Sequence, residues 1–276
     1  MLRYREIRPS PQLRHFIDTV WILEHDGESR APQRVVPDGH SELILNWGQP
    51  FEASEAGEWR AQPRCFLAGQ IAGPLFLRPA GPAKMLGIGF HAHGAANLFK
   101  QPMQELSGQF TPVEDLSLAL SRNLNRALEA PDPIRAIEAA LLSAANHRPD
   151  LLIAEAVRRI DRANGALDLA CLARDLGLSI RQLERRFLTA IGLAPKIYCR
   201  IQRFKKVFGV IGQPAHNWVE TAVACGYYDQ AHLIRDYKEF SGTTPAALLS
   251  KDADLARHFY LRFGMSQSSN TGIRDS

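Results

Sequence analysis

The pattern of apolar and polar positions changes near residue 110. Before that point, short apolar stretches alternate with segments rich in glycine and proline, which is typical of strands separated by turns. Segment 9–19 is also compatible with a short helix before the first strand. Strands of this spacing favour a small β-barrel or sandwich. The predicted strands are 20–23, 42–47, 65–68, 75–78 and 85–91.

Helical periodicity begins after Pro112. A leucine recurs every four residues from Leu116 to Leu128, and Pro133 starts a second apolar series, so two helices are predicted. Their apolar stripes either pack back onto the β-rich part or pair with a second subunit. From residue 150 onward the whole pattern is helical. The helices predicted there are 152–163, 168–176, 179–190, 195–211, 217–225 and 229–240.

One pattern within this helical part occurs twice, 50 residues apart. A Ser or Asp that can cap a helix begins each copy. A leucine and an aromatic residue then share one helix face, and an arginine lies on the opposite face. The copies are Ser179, Leu183, Arg185 and Phe187, and Asp229, Leu233, Arg235 and Tyr237.

Each copy is preceded by a small residue and a glycine, Ala173 and Gly177 in the first and Ala222 and Gly226 in the second. A short helix, a glycine turn and a capped second helix are typical of a helix-turn-helix, whose second helix enters the DNA major groove. A single copy is equally compatible with a helical hairpin whose arginine is solvated. Repetition favours a DNA-binding protein with two recognition helices.

Charge supports this interpretation through its distribution. The net charge is only +4, but residues 146–250 hold 15 Lys and Arg against 10 Asp and Glu. Residues 178–206 contain eight basic residues and one acidic residue, which suits contacts to DNA phosphates. The basic residues are Arg181, Arg185, Arg186, Lys196, Arg200, Arg203, Lys205 and Lys206.

Composition is that of a globular protein, with 45% hydrophobic and 22% charged residues in 276. No apolar run is long enough to span a bilayer and the N-terminus lacks a signal-peptide core, so a cytoplasmic protein without a membrane partner is expected. Four separated cysteines predict no zinc finger. The three in helical surroundings, Cys171, Cys199 and Cys225, are expected to be buried.

The region 150–249 resembles the DNA-binding domain of the AraC/XylS family of bacterial transcription regulators. The resemblance lies in LARDLGLSIRQLERRF (172–187), GLAPKIYCRIQRF (192–204) and AVACGYYDQAHLIRDYKEFSGTTP (222–245). It implies that two recognition helices enter successive major grooves of double-stranded DNA. The residues that it places on those helices are Arg181, Gln182, Glu184 and Arg185, and Gln230, Ala231, His232 and Arg235.

Side-chain chemistry assigns expected roles within this set. Arg185 and Arg235 suit the O6 and N7 atoms of guanine, Gln182 and Gln230 suit adenine, and Ala231 offers only a methyl contact to thymine. For each, a phosphate contact or a solvated side chain is the alternative. Positioning contacts to the DNA backbone are expected from Arg186, Arg203, Lys205 and Lys206. Trp218, Tyr227 and Tyr228 are expected to pack in the core or turn.

The N-terminal part is similar to the β-domain of some AraC-type regulators, in VPDGHSELILNWG (36–48) and LGIGFHAHGAANLF (86–99). This similarity implies binding of a small effector or dimerisation. The predicted protein is therefore α+β, with a cupin-like β-barrel or sandwich followed by an all-α double helix-turn-helix domain. The predicted boundaries are 1–111 for the β-rich domain, 112–148 for connecting helices, 149–250 for the DNA-binding domain and 251–276 for a tail with a disordered end.

Two other functions stay open. His91 with His93, and His40 with Glu42, are pairs that a cupin-like barrel can use to hold iron, manganese or zinc, which would indicate a metal-dependent enzyme or metal sensor. A third spaced histidine is missing, and Gly87-Ile88-Gly89 lacks the context of a nucleotide-binding loop, so no catalytic residue, metal or cofactor is predicted. The remaining alternative is an interaction protein that does not bind DNA, which Ala231 and the modest net charge leave open.

Overall fold

A computed structural model of the protein describes residues 2–55, 57–145, 150–211 and 218–244. The described residues up to Pro112 form ten strands. They are β1 (Leu2–Ile7), β2 (Ile17–His25), β3 (Gln33–Val35), β4 (Glu42–Asn46), β5 (Phe51–Glu55), β6 (Glu58–Ala61), β7 (Cys65–Ala68), β8 (Leu75–Pro79), β9 (Ala83–Phe90) and β10 (Phe110–Pro112). All five predicted strands are present. Segment 9–19 contains turns rather than a helix and enters β2 at Ile17.

The strands form two antiparallel sheets, with orders β1-β2-β9-β4-β7-β10 and β3-β8-β5-β6. Neither sheet closes on itself within the described residues, because the first and last strands of each order have a neighbour on one side only. Of the two architectures that the sequence predicts, a cupin-like barrel or a sandwich, the closed barrel is therefore not found in the described residues. The arrangement is a larger sheet covered by a smaller one.

Both faces of the larger sheet are buried, and alternate residues serve different cores. On β2, Val20 and Ile22 pack with the helices that follow β10, whereas Trp21 and Leu23 pack toward the smaller sheet. This division follows from the period of two in a strand. Central strands buried on both faces have nearly continuous apolar sequences.

Three helices follow, α1 (Val113–Leu116), α2 (Leu118–Leu128) and α3 (Pro133–Ala144). Leu120, Leu124 and Leu141 are buried in the same core as Val20 and Ile22. Of the two sequence-based alternatives, packing back onto the β-rich part is the one present. The sheet and its covering helices therefore form one folded unit.

The remaining helices agree with their predictions to within about one residue at each end. They are α4 (Leu151–Arg162), α5 (Leu169–Asp175), α6 (Ile180–Ile191), α7 (Pro195–Ile211), α8 (Trp218–Ala224) and α9 (Gln230–Ser241). No described helix is both long and apolar enough to cross a membrane. The predicted tail, 251–276, lies outside the described residues.

Helix α7 connects two small helical cores. Tyr198 and Cys199 at its start pack with α4, α5 and α6, and Ile201, Phe204 and Val207 further along pack with α8 and α9. A single continuous helix therefore fixes the two helix-turn-helix units to each other. Cys199 and Cys225 are buried as expected, but Cys171 is exposed and the strand residue Cys65 is buried.

Candidate DNA interface and ligand cavity

Each helix-turn-helix unit has a left-handed glycine in its turn. Gly177 between α5 and α6 has φ of 68°, and Gly226 between α8 and α9 has φ of 79°. An L side chain is disfavoured at such angles, which explains the glycine at the same place in both copies. The second turn holds one more residue than the first. Tyr227 is buried, but Tyr228 is 90% exposed, contrary to the expectation that it packs.

Both recognition helices are capped as predicted. The Ser179 hydroxyl accepts a hydrogen bond from the Gln182 backbone N–H at 3.3 Å, and the Gln182 side-chain oxygen accepts from the Ser179 N–H at 2.8 Å. In α9 the Asp229 carboxylate accepts from the His232 N–H at 2.7 Å. These bonds satisfy the free N–H groups of the first turns. The side-chain oxygen of Gln182 therefore already takes part in the helix cap.

The outward faces of α6 and α9 carry exposed arginines. Leu183 and Phe187 of α6, and Leu233 and Tyr237 of α9, are fully buried, so the helices present their opposite faces. Those faces include three arginines whose side chains make no hydrogen bond or ion pair with any described residue. They are Arg181, Arg185 and Arg235. Glu184 and Ala231 are also exposed, and Gln230 and His232 are half-buried.

Three of the predicted backbone-contacting residues have partners inside the protein. Arg186 forms an ion pair with Asp150, the N-cap of α4, at 2.6 and 2.7 Å. Arg203 donates to the Gly165 carbonyl at 2.7 Å, and its guanidinium lies over the Tyr227 ring. The Lys206 amino group donates to the Ala224 carbonyl at 2.5 Å. These contacts hold the helices of the domain together.

Arg200 of α7 has a similar structural role, which the sequence did not reveal. Its guanidinium bonds Asp236 at 2.8 Å and Glu239 at 2.5 Å, both on α9. The hydrogen bond to Glu239 and the charge of buried Asp236 raise the pKa of Arg200 above its ordinary value. His232 lies 3.8 Å from the same Asp236 and edge-on to the Tyr227 ring. Some of the basic residues in segment 178–206 are therefore engaged in ion pairs within the protein.

A cavity of about 170 Å³ lies between the two sheets of the N-terminal unit. Most of its lining is aliphatic or aromatic, and its polar groups are few. For scale, an apolar cavity of roughly 150 Å³ in another protein holds benzene. The aromatic lining residues are Tyr4, Trp21, Phe51, Phe66 and Phe110, and the ionisable ones besides Tyr4 are Asp38, His40 and Glu42.

Gly87 creates the space for the Trp21 indole at this cavity. Trp21 and Gly87 are direct cross-strand partners on β2 and β9. A Cβ atom at position 87 would lie 2.0 Å from Cε2 of the indole, which no real contact allows. The indole therefore occupies the space over Gly87, and its N–H donates to the Glu42 carboxylate at 3.1 Å.

One wall of the cavity also touches the DNA-binding part. Asp38 and His40 line the cavity, and a Cβ at Gly39 between them would lie 2.9 Å from the Tyr198 ring on α7. The Lys205 amino group of α7 is 3.5 Å from His40 Nε2. Lys205 therefore faces the N-terminal unit, contrary to the expectation of a DNA backbone contact. The segment 38–40 therefore forms part of the cavity wall and also contacts α7.

The candidate metal-ligating side chains have other surroundings. His40 Nδ1 lies 2.7 Å from the Phe90 carbonyl, and His91 Nε2 lies 3.1 Å from the Arg14 carbonyl. The His91 and His93 rings stack with centroids 6.2 Å apart. Burial, assisted by the charges of His91 and His15, lowers the pKa of His93 to about 4. Among the described residues, no three His, Cys, Asp or Glu side chains form a metal-ligating group.

Two helix-turn-helix units share a common helix, and the outward-facing arginines of both recognition helices have no partner among the described residues. This arrangement is typical of a DNA-binding protein. Residues 172–251 match the family described as "Helix-turn-helix domain", and residues 5–112 match "Domain of unknown function (DUF6597)". The C-terminal region is therefore similar to helix-turn-helix domains, a kind of domain that binds DNA. No curated protein is significantly similar to the chain.

Several solved structures of regulators are similar to the chain. A transcriptional regulator with an AraC-type DNA-binding domain from Chromobacterium violaceum is 26% identical, over 38% of this chain and 94% of that one, with a TM-score of 0.34. ToxT from Vibrio cholerae is 7% identical, over 90% of this chain and 97% of that one, with a TM-score of 0.45. The AraC-like transcriptional activator CuxR is 14% identical, over 73% and 84% respectively, with a TM-score of 0.29.

Proposed function

We propose that the protein controls transcription by placing α6 and α9 in successive major grooves of one DNA site. The observation that carries this proposal is a set of exposed arginines that have no partner in the part of the chain the structure describes, Arg181, Arg185 and Arg235. Of the half-buried basic residues around them, Arg186 and Arg200 form ion pairs, and Arg203 and Lys206 donate to backbone carbonyls, whereas these three arginines are available to DNA. An arginine on an outward helix face can bond O6 and N7 of guanine together.

The other predicted contact residues divide by their surroundings. Gln230 and Ala231, at the start of α9, suit contacts to adenine and to a thymine methyl group. Gln182 keeps its amide N–H₂ for DNA, because only its oxygen is used by the cap. Arg186, Arg203 and Lys206 act in our proposal by holding the recognition helices in place. We assign the larger share of affinity to α6, which carries two of the three unpaired arginines.

We further propose that the cavity between the sheets receives a small effector. The support is its size, its apolar lining and the shared segment 38–40, which touches α7 through Gly39. A molecule that displaces this segment would change its contact with α7, the helix that connects the two DNA-binding units. The homodimer left open by the sequence stays a prediction, which light scattering of the purified protein tests.

Selection of bound fragments from genomic DNA tests the main proposal. At about 50 and about 200 mM salt, a regulator should enrich one motif whose two halves lie about one helical turn, roughly 10 base pairs, apart. A protein that binds DNA only through charge would lose all binding at the higher salt without enriching a motif. An interaction protein would retain no DNA at either salt. Elemental analysis separates the metal-dependent alternative, which requires stoichiometric iron, manganese or zinc.

A further inference from the structure

The geometry of the cavity points to one chemical class of ligand: we propose that it binds an apolar, ring-sized organic cation. An arylalkylamine, which is protonated at neutral pH, or an aryl quaternary ammonium belongs to this class. The inference rests on the proposed effector site and names the chemistry of its occupant. It follows from three properties of the lining, which are size, aromatic surface and charge.

The size of the cavity suits a ligand of about one substituted ring. The cavity of about 170 Å³ is slightly larger than the roughly 150 Å³ that accommodates benzene elsewhere. Apolar residues from both sheets, including Leu23, Ile44 and Leu77, form most of the wall. The body of the ligand must therefore be apolar, because this wall offers few hydrogen bonds.

The aromatic surface suits a positive charge. The Trp21 and Tyr4 rings lie 6.0 Å apart at 33°, and the Phe66 and Phe110 rings meet edge to face at 5.4 Å. The faces of such rings attract cations, and tryptophan does so most strongly. Trp21 is held at the cavity by Gly87 beneath it and by Glu42 at its N–H. This part of the wall is therefore built before any ligand arrives.

The charged groups of the lining are acidic. Asp38, which is only 9% exposed, and Glu42 both line the cavity, and neither lysine nor arginine is among its lining residues within the described chain. The Phe90 carbonyl can only accept a hydrogen bond, so His40 carries a proton on Nδ1. Its Nε2 faces the Lys205 ammonium, which contacts His40 from outside the lining. An anionic ligand would meet two carboxylates, whereas a cation would be attracted by both.

A set of three ring-sized compounds tests the inference by isothermal titration calorimetry on the full chain. Phenyltrimethylammonium is the cation, tert-butylbenzene has the same shape without the charge, and benzoate is an anion. The cation should bind about tenfold more tightly than tert-butylbenzene, and benzoate should not bind. Equal or tighter binding of the neutral compound or of benzoate overturns the inference.

Two isosteric variants assign the charge preference to its source. Glu42→Gln keeps an oxygen that can accept from the Trp21 indole N–H. Asp38→Asn keeps an oxygen that can accept from the His40 backbone N–H, which lies 2.9 Å from the Asp38 carboxylate. Each variant should bind phenyltrimethylammonium about five- to tenfold more weakly than wild type and bind tert-butylbenzene with unchanged affinity. Glu58→Gln, at an exposed position of β6 outside the cavity, is the control and should change neither. Unchanged cation affinity in both cavity variants contradicts the inference.

The outcomes separate this inference from the proposal beneath it. If tert-butylbenzene binds and the cation does not, the cavity is a ligand site but its charge preference has been assigned wrongly. If none of the compounds binds, the inference of a ring-sized cationic ligand is wrong. The selection of genomic DNA fragments still tests the proposed DNA binding independently, since it requires no ligand.

Discussion

Asp150 and Arg186, 36 positions apart, form an ion pair with two hydrogen bonds of 2.6 and 2.7 Å. Asp150 also caps α4 by accepting from the N–H groups of Leu152 and Ile153. Burial raises the pKa of Asp150, but the hydrogen bonds from Arg186 and the backbone outweigh it and leave that pKa below its ordinary value. The pair fixes α4 against the recognition helix α6.

Arg186→Ala should therefore lower the free energy of unfolding by about 1–3 kcal/mol, because it removes charge-assisted hydrogen bonds and leaves Asp150 half-buried without its partner. Urea denaturation measures this loss. The stabilisation by Asp150 should be lost as pH falls through its lowered pKa, so wild type and variant should converge at strongly acidic pH. A variant as stable as wild type at neutral pH would show that the pair contributes little.

Arg185→Ala and Arg235→Ala should give the opposite result. Each should weaken binding to the selected DNA site by about 1–3 kcal/mol and relax the preference at a different base position, with stability unchanged. Fluorescence anisotropy with single-base variants of the site measures both effects. If the ranking of those variants is unaltered in both proteins, these arginines contact phosphates and other side chains contact the bases.

Gly87→Ala tests the space beneath Trp21. The new methyl group would overlap the indole, so we expect about 1–3 kcal/mol of destabilisation from overpacking, together with loss of phenyltrimethylammonium binding. A Trp21→Leu background removes the overlapping atoms, so the same substitution should cost less there. Equal costs in the two backgrounds would place the strain elsewhere on β9.

Gly39→Ala tests communication between the cavity and α7. Its φ of +80° and the 2.9 Å approach of a Cβ to Tyr198 both oppose the substitution. Gly57→Ala is a matched control, because its φ of +88° imposes similar backbone strain with nothing within 4 Å. Only Gly39→Ala should alter the change in DNA affinity that phenyltrimethylammonium produces. Identical responses in the two variants would argue against segment 38–40 as the connection.

His93 should make stability depend on pH. Its pKa of about 4 in the folded protein lies below the ordinary 6.5, so the unfolded chain binds more protons between these values and stability falls as pH decreases from about 6.5 to about 4. His93→Gln removes this contribution. The difference in unfolding free energy between pH 7 and pH 4 should therefore be smaller in the variant than in wild type, as measured by urea denaturation at both pH values.

Local patterns predicted the helices and the turn glycines, because capping and a 3.6-residue period lie within one segment of sequence. The strands β1, β3, β5, β6 and β10 escaped prediction. Two of them, LRYREI and EWRA, have charged residues at half of their positions, because edge strands bury little of their surface. These strands are recognised only when the folded chain places a neighbouring strand beside them.

The site was less predictable for a related reason. Helical periodicity separates Arg186 from Arg185 but does not reveal the partner of Arg186, since Asp150 lies 36 positions away. The cavity combines residues from Tyr4 to Phe110, and its acidic character appears only when Asp38 and Glu42 are brought to one wall. The sequence predicted no role for Gly87, because its contact with Trp21 requires the pairing of two strands.

The shared segment 38–40 has a thermodynamic consequence for the operator itself. Coupling between two sites is reciprocal, so a cavity occupant that changes DNA affinity tenfold requires DNA to change the occupant's affinity tenfold as well. Protein bound at its operator would then detect a different concentration of the compound from protein free of DNA. The threshold of the sensor would be set partly by the promoter on which it sits.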